Sequence, residues 1–367
     1  MASAQHVDAV VVGSGFGGSV TAYRLAEAGR EVVLLERGKP YPPGSFARTP
    51  AEFARAFWDP SEGLHGLFDI WSFAGLDGIV SAGLGGGSLI YANVLLRKDE
   101  KWFVHDAPAG RDGYESWPIS RADLEPHYDA VERMLGPQTF PLGVPGYEAS
   151  GKTEVFRDAA RRLNLDWQLA PLAVSFAAEG RAPIPGDALP TPDYGNLHGR
   201  LRTTCRLCGE CDMGCNYGAK NTLDHNYLSA AASKGADIRT RCEVRSITPL
   251  ANGAWEVGYV EHDESAEGVR TPTAALPITT LTCDTLVLGA GAFGSTYLLL
   301  RNRAALPALS PRIGHRFCGN GDLLGFLLGA RDSDGRPLSL GSTRAPVITS
   351  YLRGADTEDG GDGRGFY

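Results

Sequence analysis

The stretch Asp8 to Gly38 constrains this chain more than any other part of it. An apolar run, Ala9 to Val12, enters a turn at Gly13-Ser14-Gly15-Phe16-Gly17-Gly18. An alanine-rich segment with helical spacing, Val20, Ala22, Leu25 and Ala26, follows to Gly29. The changing period reads as strand, turn and helix. A second apolar run, Glu31 to Leu35, closes a βαβ unit and ends on Glu36, 18 residues beyond Gly18. Each part has a physical task in holding a dinucleotide. Gly13 allows the tight turn, Gly15 lets backbone approach a pyrophosphate, and Gly18 lets helix and strand pack closely. Free N–H groups at the helix start face the phosphates, with Phe16 and Gly17 in the same turn. Glu36 accepts from ribose hydroxyls, which disfavours a 2′-phosphate, and Arg37 follows it as a further candidate contact.

The totals bound the partners. A chain of 367 residues has room for two domains or one large discontinuous one. Its net charge of −8, with no basic block, argues against nucleic acid or an anionic membrane surface. No apolar run reaches the roughly 18 residues of a spanning helix. The first strand begins too early to leave space for a signal peptide, so the expectation is a soluble, cytoplasmic protein. Glycine contributes 47 residues, in clusters, which points to several places where backbone turns sharply or touches a ligand.

One such cluster is Ser81 to Arg97, where Gly83, Gly85, Gly86 and Gly87 precede an apolar segment. Bare backbone amides form a nest for phosphate oxygens, and Ser88 adds a hydroxyl. This loop, with Asn93 close behind, resembles the first signature of the glucose/methanol/choline (GMC) family of flavoprotein oxidoreductases, in its bacterial cholesterol-oxidase-like branch. The resemblance implies that the loop covers an FAD pyrophosphate and that residues around Asn93 approach the isoalloxazine ring. Tyr91 stands where such proteins often carry another Asn.

From Trp117 the chain reads as a helix capped by Ser120, with Asp123 as the early acid, Tyr128, Val131 and Leu135 on one face, and Gly136 as terminator. It resembles the family's helix that opens the substrate domain. Glu125, His127 and Asp129 read as a solvated face. Lys152 to Leu163 forms another helix. The aromatics Phe53, Phe57, Trp58, Phe68, Trp71 and Phe73 have no basic residues among them and read as a lid or connection packed into the core.

Cys205, Cys208, Cys211 and Cys215 follow a C-x2-C-x2-C-x3-C pattern. One short loop wraps four thiolates around a compact centre with this spacing, which is that of cubane iron–sulfur sites. Zinc ligands normally come as two separated pairs, and disulfides fit poorly with such short loops in a reducing compartment. The expected occupant is a [4Fe-4S] or [3Fe-4S] cluster, although Asn216 replaces the usual following Pro and there is no second cysteine run. The alternative is four packing thiols or a relic site. Cys242, Cys283 and Cys318 read as ordinary buried cysteines.

Ile238 to Ile247, Trp255 to Val260 and Leu276 to Leu281 are β-rich and suggest a three-stranded meander. A further strand from Asp284, a turn over Gly289 to Gly294 containing Ala290 and Gly291, and a helix follow. That strand is expected to return to the parallel sheet begun at Ala9, bringing a second helix start near the same ligand. The segment resembles the family's second signature, and Val244 sits where such proteins present a backbone amide to adenine. Ile313 to Asp322 resembles the crossing back to the substrate domain.

The expected fold is α/β: a Rossmann-like FAD-binding domain with parallel sheet and β-meander, 1–97 with 236–323, plus an incomplete α+β substrate domain, 98–235 with 324–367. A nucleotide fold interrupted by so long an insertion favours FAD over NAD. The resemblance implies an FAD-dependent alcohol dehydrogenase or oxidase passing hydride to flavin N5, the substrate being a sterol or another bulky apolar alcohol. A cluster beside the flavin offers one-electron exits, toward O2 or a redox protein. No catalytic residue is assigned, because the family's catalytic His and His/Asn belong to a segment beyond Tyr367. The chain therefore reads as truncated or split, with the remainder on a second chain. The competing reading is a non-catalytic FAD-binding or electron-transfer module.

Overall fold

The structure is a computed structural model, described for residues 5–100, 103, 117–148, 150–315, 317, 319, 328–329, 331, 334–337 and 345–353. Cys318, most of the segment after His315, and the Gly-rich end with Phe366 and Tyr367 lie outside the described residues. The chain divides into two compact units: Met1–Tyr41 with Ala47–Gly87 and Ala230–Ser342, and Pro42–Phe46 with Ser88–Ser229 and Thr343–Tyr367.

The first unit is built on a six-stranded sheet. From edge to edge its strands are Asp237–Arg239, Val32–Leu35, Gln5–Val12, Thr279–Leu288, Trp255–Glu261 and Cys242–Pro249. The first four run parallel, with Ala9 beside Val32 and beside Thr285. The last two return antiparallel. Val10, Val11 and Leu34 are buried completely, as near-continuous apolar strands are when both faces of a parallel sheet are covered. Each such side chain contributes about 1.5–3 kcal/mol relative to exposure. The helix Phe16–Glu27 buries only small residues, Gly18, Ser19, Ala22 and Ala26, and so lies close on the sheet.

The structure corrects the expected meander in two places. The run from Ile238 breaks at Thr240 and Arg241: Asp237–Arg239 is the parallel edge strand, and Cys242–Pro249 begins the antiparallel part. Arg241 takes a positive φ of 60°, which turns the chain between the two. The third meander strand and the returning strand are also one continuous element. Thr279–Leu288 pairs antiparallel with Trp255–Tyr259 through its first half and parallel with Gln5–Val12 through nearly all of its length. This single strand joins the two halves of the sheet.

The aromatic stretch also departs from expectation. None of Phe53, Phe57, Trp58, Phe68, Trp71 and Phe73 is buried. Phe68–Phe73 and Leu76–Ser81 form a separate hairpin. Trp71 stacks on Phe293 at 5.8 Å, and Phe53 meets Phe57 edge to face at 5.7 Å. The rings pack on one another at the surface of the unit instead of filling its core.

The second unit carries the helix Arg121–Leu135, opened by a reciprocal capping box between Ser120 and Asp123 and closed by Gly136 in the left-handed region. Glu125 and Asp129 on this helix bind Arg97, which agrees with a solvated ionic face. A second helix covers Gly151–Arg162. The core of the unit centres on Phe140, Tyr147 and Phe176, three rings in mutual edge-to-face contact.

Candidate functional site

Two glycine turns of the first unit meet. Gly13, with φ of 92°, closes the first strand, and a Cβ there would stand 2.7 Å from the Gly289 carbonyl oxygen. Gly18 is tighter still: a Cβ would lie 1.9 Å from the Gly13 carbonyl oxygen. A Cβ on Gly86 would reach within 2.6 Å of Gly15 Cα, so the second glycine loop rests directly on the first. At these positions packing within the protein demands glycine. At others it does not. A Cβ on Gly17 or Gly87 would meet nothing within 4 Å and one on Gly15 only an ordinary contact at 3.9 Å, whereas Gly291 owes its glycine to a φ of 74° and a Cβ on Gly294 would press on the Ala290 Cβ at 3.1 Å. Bare backbone facing open space in this way fits a ligand that approaches main-chain amides.

Both helices that start at these turns lack a side-chain cap. Gly15 caps Phe16–Glu27 and Ala290 caps Gly291–Arg301, and neither supplies an acceptor. Their orphan N–H groups and positive dipole ends suit a diphosphate.

Glu36 is 5% exposed and already committed. Its Oε2 accepts from Ser14 N at 3.0 Å and from Ser14 Oγ at 2.6 Å, and its Oε1 accepts from Gly38 N at 2.8 Å. Ser14 Oγ in turn accepts from Gly85 N at 2.9 Å. A carboxylate offers about four acceptor positions, which leaves capacity for about one ribose hydroxyl. Sequence reasoning missed this serine; its signal was a small polar residue between the first two glycines. Arg37 pairs with Asp69 at 2.7 Å and lies over the Trp58 ring. Val244 pairs with Tyr259, and the register shifts immediately after it, between Val244 and Ser246.

In the second unit, Ser88 is buried and its hydroxyl accepts from Leu223 N at 3.1 Å. Asn93 is fully buried with φ of 70°, and neither its Nδ2 nor its Oδ1 is satisfied by a hydrogen bond. The Cys211 thiol beside it is a weak partner. A buried amide left without a strong partner costs about 1–3 kcal/mol for the desolvated groups.

All four cysteines of the spaced run line one pocket of this unit, together with Gly209, Gly214 and Lys220. Burial pushes the Cys205, Cys208 and Cys211 thiols above their ordinary range. Lys220, buried and lowered to about 8 by desolvation, donates to the carbonyls of Leu89, Tyr91 and Cys211. Among the described residues no three of these sulfurs lie within 4.8 Å of one another. A tetrahedral zinc ion, with Zn–S of about 2.3 Å, needs sulfurs about 3.8 Å apart. Among the described residues no trio of these sulfurs is preassembled at that spacing. Cys242 and Cys283 are buried in the sheet core of the first unit, as expected.

Comparison with known proteins follows the same lines. The family described as GMC oxidoreductase matches residues 196–319, and an NAD(P)-binding Rossmann-like domain matches residues 11–45. A cholesterol oxidase of Mycobacterium tuberculosis is 35% identical over 84% of this chain and 50% of its own length. A cholesterol oxidase of Acinetobacter baumannii is 29% identical over 98% of this chain and 62% of its own length. A 2-methyl-1,2-propanediol dehydrogenase of Mycolicibacterium austroafricanum is 24% identical over 75% of this chain and 51% of its own length. The chain therefore spans about half to two thirds of the length of these relatives.

Proposed function

Because this chain belongs to the GMC oxidoreductase family, in its cholesterol-oxidase-like branch, we propose that it binds FAD and serves in the oxidation of an alcohol. The observation that carries the reading is the meeting of two uncapped helix starts across Gly13 and Gly289, beside glycines whose missing side chains no neighbour explains. In this reading Gly15, Phe16, Gly17, Gly18, Gly86, Gly87, Ala290, Gly291 and Gly294 present backbone to the diphosphate. Glu36 takes a ribose hydroxyl, Arg37 and Val244 border the adenosine end, and Gly83, Ser88 and Asn93 belong to the flavin end. The first unit holds the nucleotide and the second carries the substrate side.

FAD, once bound, would supply the hydride acceptor for oxidation of the carbinol carbon, with a base needed for the hydroxyl proton. No residue of this chain is assigned as that base. The chain's own contribution would be to fix the diphosphate with main-chain amides of the glycine turns. The substrate class is a sterol or another bulky apolar alcohol, supported by the two cholesterol oxidase relatives.

The four-cysteine pocket extends this reading. We assign it a [4Fe-4S] or [3Fe-4S] cluster that Cys205, Cys208, Cys211 and Cys215 would hold and that would supply one-electron chemistry between the flavin and a redox protein, in a reducing cytoplasm. What supports it is the convergence of four sulfurs on one pocket and the buried ammonium of Lys220.

The test uses the product of the complete natural reading frame, purified without air. A panel of alcohols that includes a sterol is expected to bleach the visible flavin band of a protein carrying iron and sulfide. A flavin that stays oxidised with every alcohol would overturn the alcohol reading in favour of an electron-transfer module, and FAD without iron or sulfide would remove the cluster.

A further inference from the structure

Within the second unit three side chains from two separated segments close on one point. His198 follows the turn at Asn196, and Asp224 and His225 lie on the short 3-10 turn Leu223–His225. One potential ligand atom from each lies within 4.8 Å of the other two. His198 Nε2 is 2.6 Å from Asp224 Oδ2, with side chains only 4% and 1% exposed. The His198 and His225 rings meet edge to face with centroids 5.4 Å apart.

The hydrogen bonding here is incomplete. Asp224 Oδ1 and His225 Nδ1 are both buried and reach no partner at hydrogen-bond geometry, the Thr222 hydroxyl near the Asp224 carboxylate being a weak one. Orphans of this kind each cost about 1–3 kcal/mol, and native interiors rarely leave two of them side by side. Two imidazole nitrogens and one carboxylate oxygen are the donor set of zinc and of iron(II). We infer that His198, Asp224 and His225 form a binding site for one divalent transition-metal ion of the zinc class, independent of the cysteine pocket and of the flavin.

The geometry needs little adjustment. Ligand atoms about 2.1 Å from a tetrahedral ion lie about 3.4 Å apart. The His198–Asp224 pair therefore opens by about 0.8 Å, and the other two pairs already lie within 4.8 Å. A neutral His198 ligates through the Nε2 lone pair with its single N–H proton carried on Nδ1, and the Asp224 carboxylate turns from the imidazole to the ion. Arg202 also bears on the site: its guanidinium is fixed by Gly218 O at 2.7 Å and by Asn221 Oδ1, and its charge faces Asp224 and His225. A neighbouring cation makes the site weaker than a closed four-ligand zinc centre.

The test is titration of the chelator-treated protein with cobalt(II) and zinc(II). In a variant with Cys205, Cys208, Cys211 and Cys215 all changed to Ser, one equivalent of cobalt(II) is expected to bind. Its visible bands should come without thiolate charge transfer. His225→Ala is expected to lower affinity by more than about a hundredfold, and His198→Ala should do the same. Should the four-serine variant not fold, crystals of the wild-type protein grown with zinc decide the matter through anomalous scattering. A peak between the three side chains supports the site, and its absence overturns it. Unchanged binding in both histidine variants, or no binding in a folded four-serine variant, overturns it as well.

Discussion

Replacing Gly15 by Ala separates a glycine kept for a ligand from one kept for packing. The structure gives a Cβ at Gly15 only one ordinary contact, 3.9 Å from the Gly289 carbonyl oxygen, and its φ of −68° suits alanine. Two small terms act on the free protein. Alanine is a poorer N-cap than glycine, and it also lowers the unfolded chain's entropy, each by up to about 1 kcal/mol and in opposite directions. Stability without FAD should therefore hold within about 0.5 kcal/mol. FAD affinity should fall at least about tenfold, equivalent to about 1.4 kcal/mol, because the new methyl stands where the diphosphate approaches. Gly18→Ala is the control with the opposite signature. Its Cβ would lie 1.9 Å from the Gly13 carbonyl oxygen, so backbone must retreat by about 1.3 Å to reach a normal contact. That costs on the order of 3 kcal/mol, which a gain of about 1 kcal/mol in helix propensity does not offset. Urea midpoints of the FAD-free proteins and FAD titrations followed by flavin fluorescence measure both quantities. A Gly15→Ala variant that binds FAD like wild type, or a Gly18→Ala variant as stable as wild type, would refute the reasoning.

Asn93→Gly relieves left-handed strain and breaks no strong internal side-chain bond. Its stability without FAD should hold within about 1 kcal/mol while its FAD affinity falls, as urea midpoints and FAD titration together will show. Changing Cys205 or Cys211 to Ser should abolish iron and sulfide content while FAD content persists, checked by metal analysis beside the visible spectrum. Although burial opposes it, hydrogen bonds from His262 and Arg245 hold Glu243 at about 2. A carboxylate lowered in the folded state lends stability above its unfolded pKa, near 4.5, and withdraws it as pH falls toward 2. Glu243→Gln should accordingly flatten the loss of stability between about pH 5 and pH 2, followed as the urea midpoint against pH; an unchanged slope would exclude this pair as a source of acid lability.

What could be read from the sequence depended on whether the information was local. The first βαβ unit and the helix capped by Ser120 are specified by periodicity and by hydrogen bonds a few residues long, and both stand where their residues put them. Sheet pairing is not local. The residues of Thr279–Leu288 carry no sign that one strand will pair with Trp255–Tyr259 and also with Gln5–Val12, and so the meander and the returning strand looked like two elements. The aromatic stretch misled for a related reason. Apolar content suggests core, whereas Trp71 and Phe73 find their partner in Phe293, more than two hundred residues away. The glycine turns and the four cysteines were visible because their spacing is itself the signal. His198 was not, because Asp224 and His225, which it meets, lie 26 and 27 residues further along the chain. Nor could sequence show that Ser14 already occupies much of the Glu36 carboxylate.

The central claim is that the glycine turns at Gly13–Gly18, Gly83–Gly87 and Gly289–Gly294 serve one flavin dinucleotide. Calorimetric titration of the flavin-stripped protein with FAD tests it most directly. The account predicts one molecule of FAD bound per chain, with NAD unable to compete. A folded protein that takes up no FAD, or that binds NAD in its place, would contradict it.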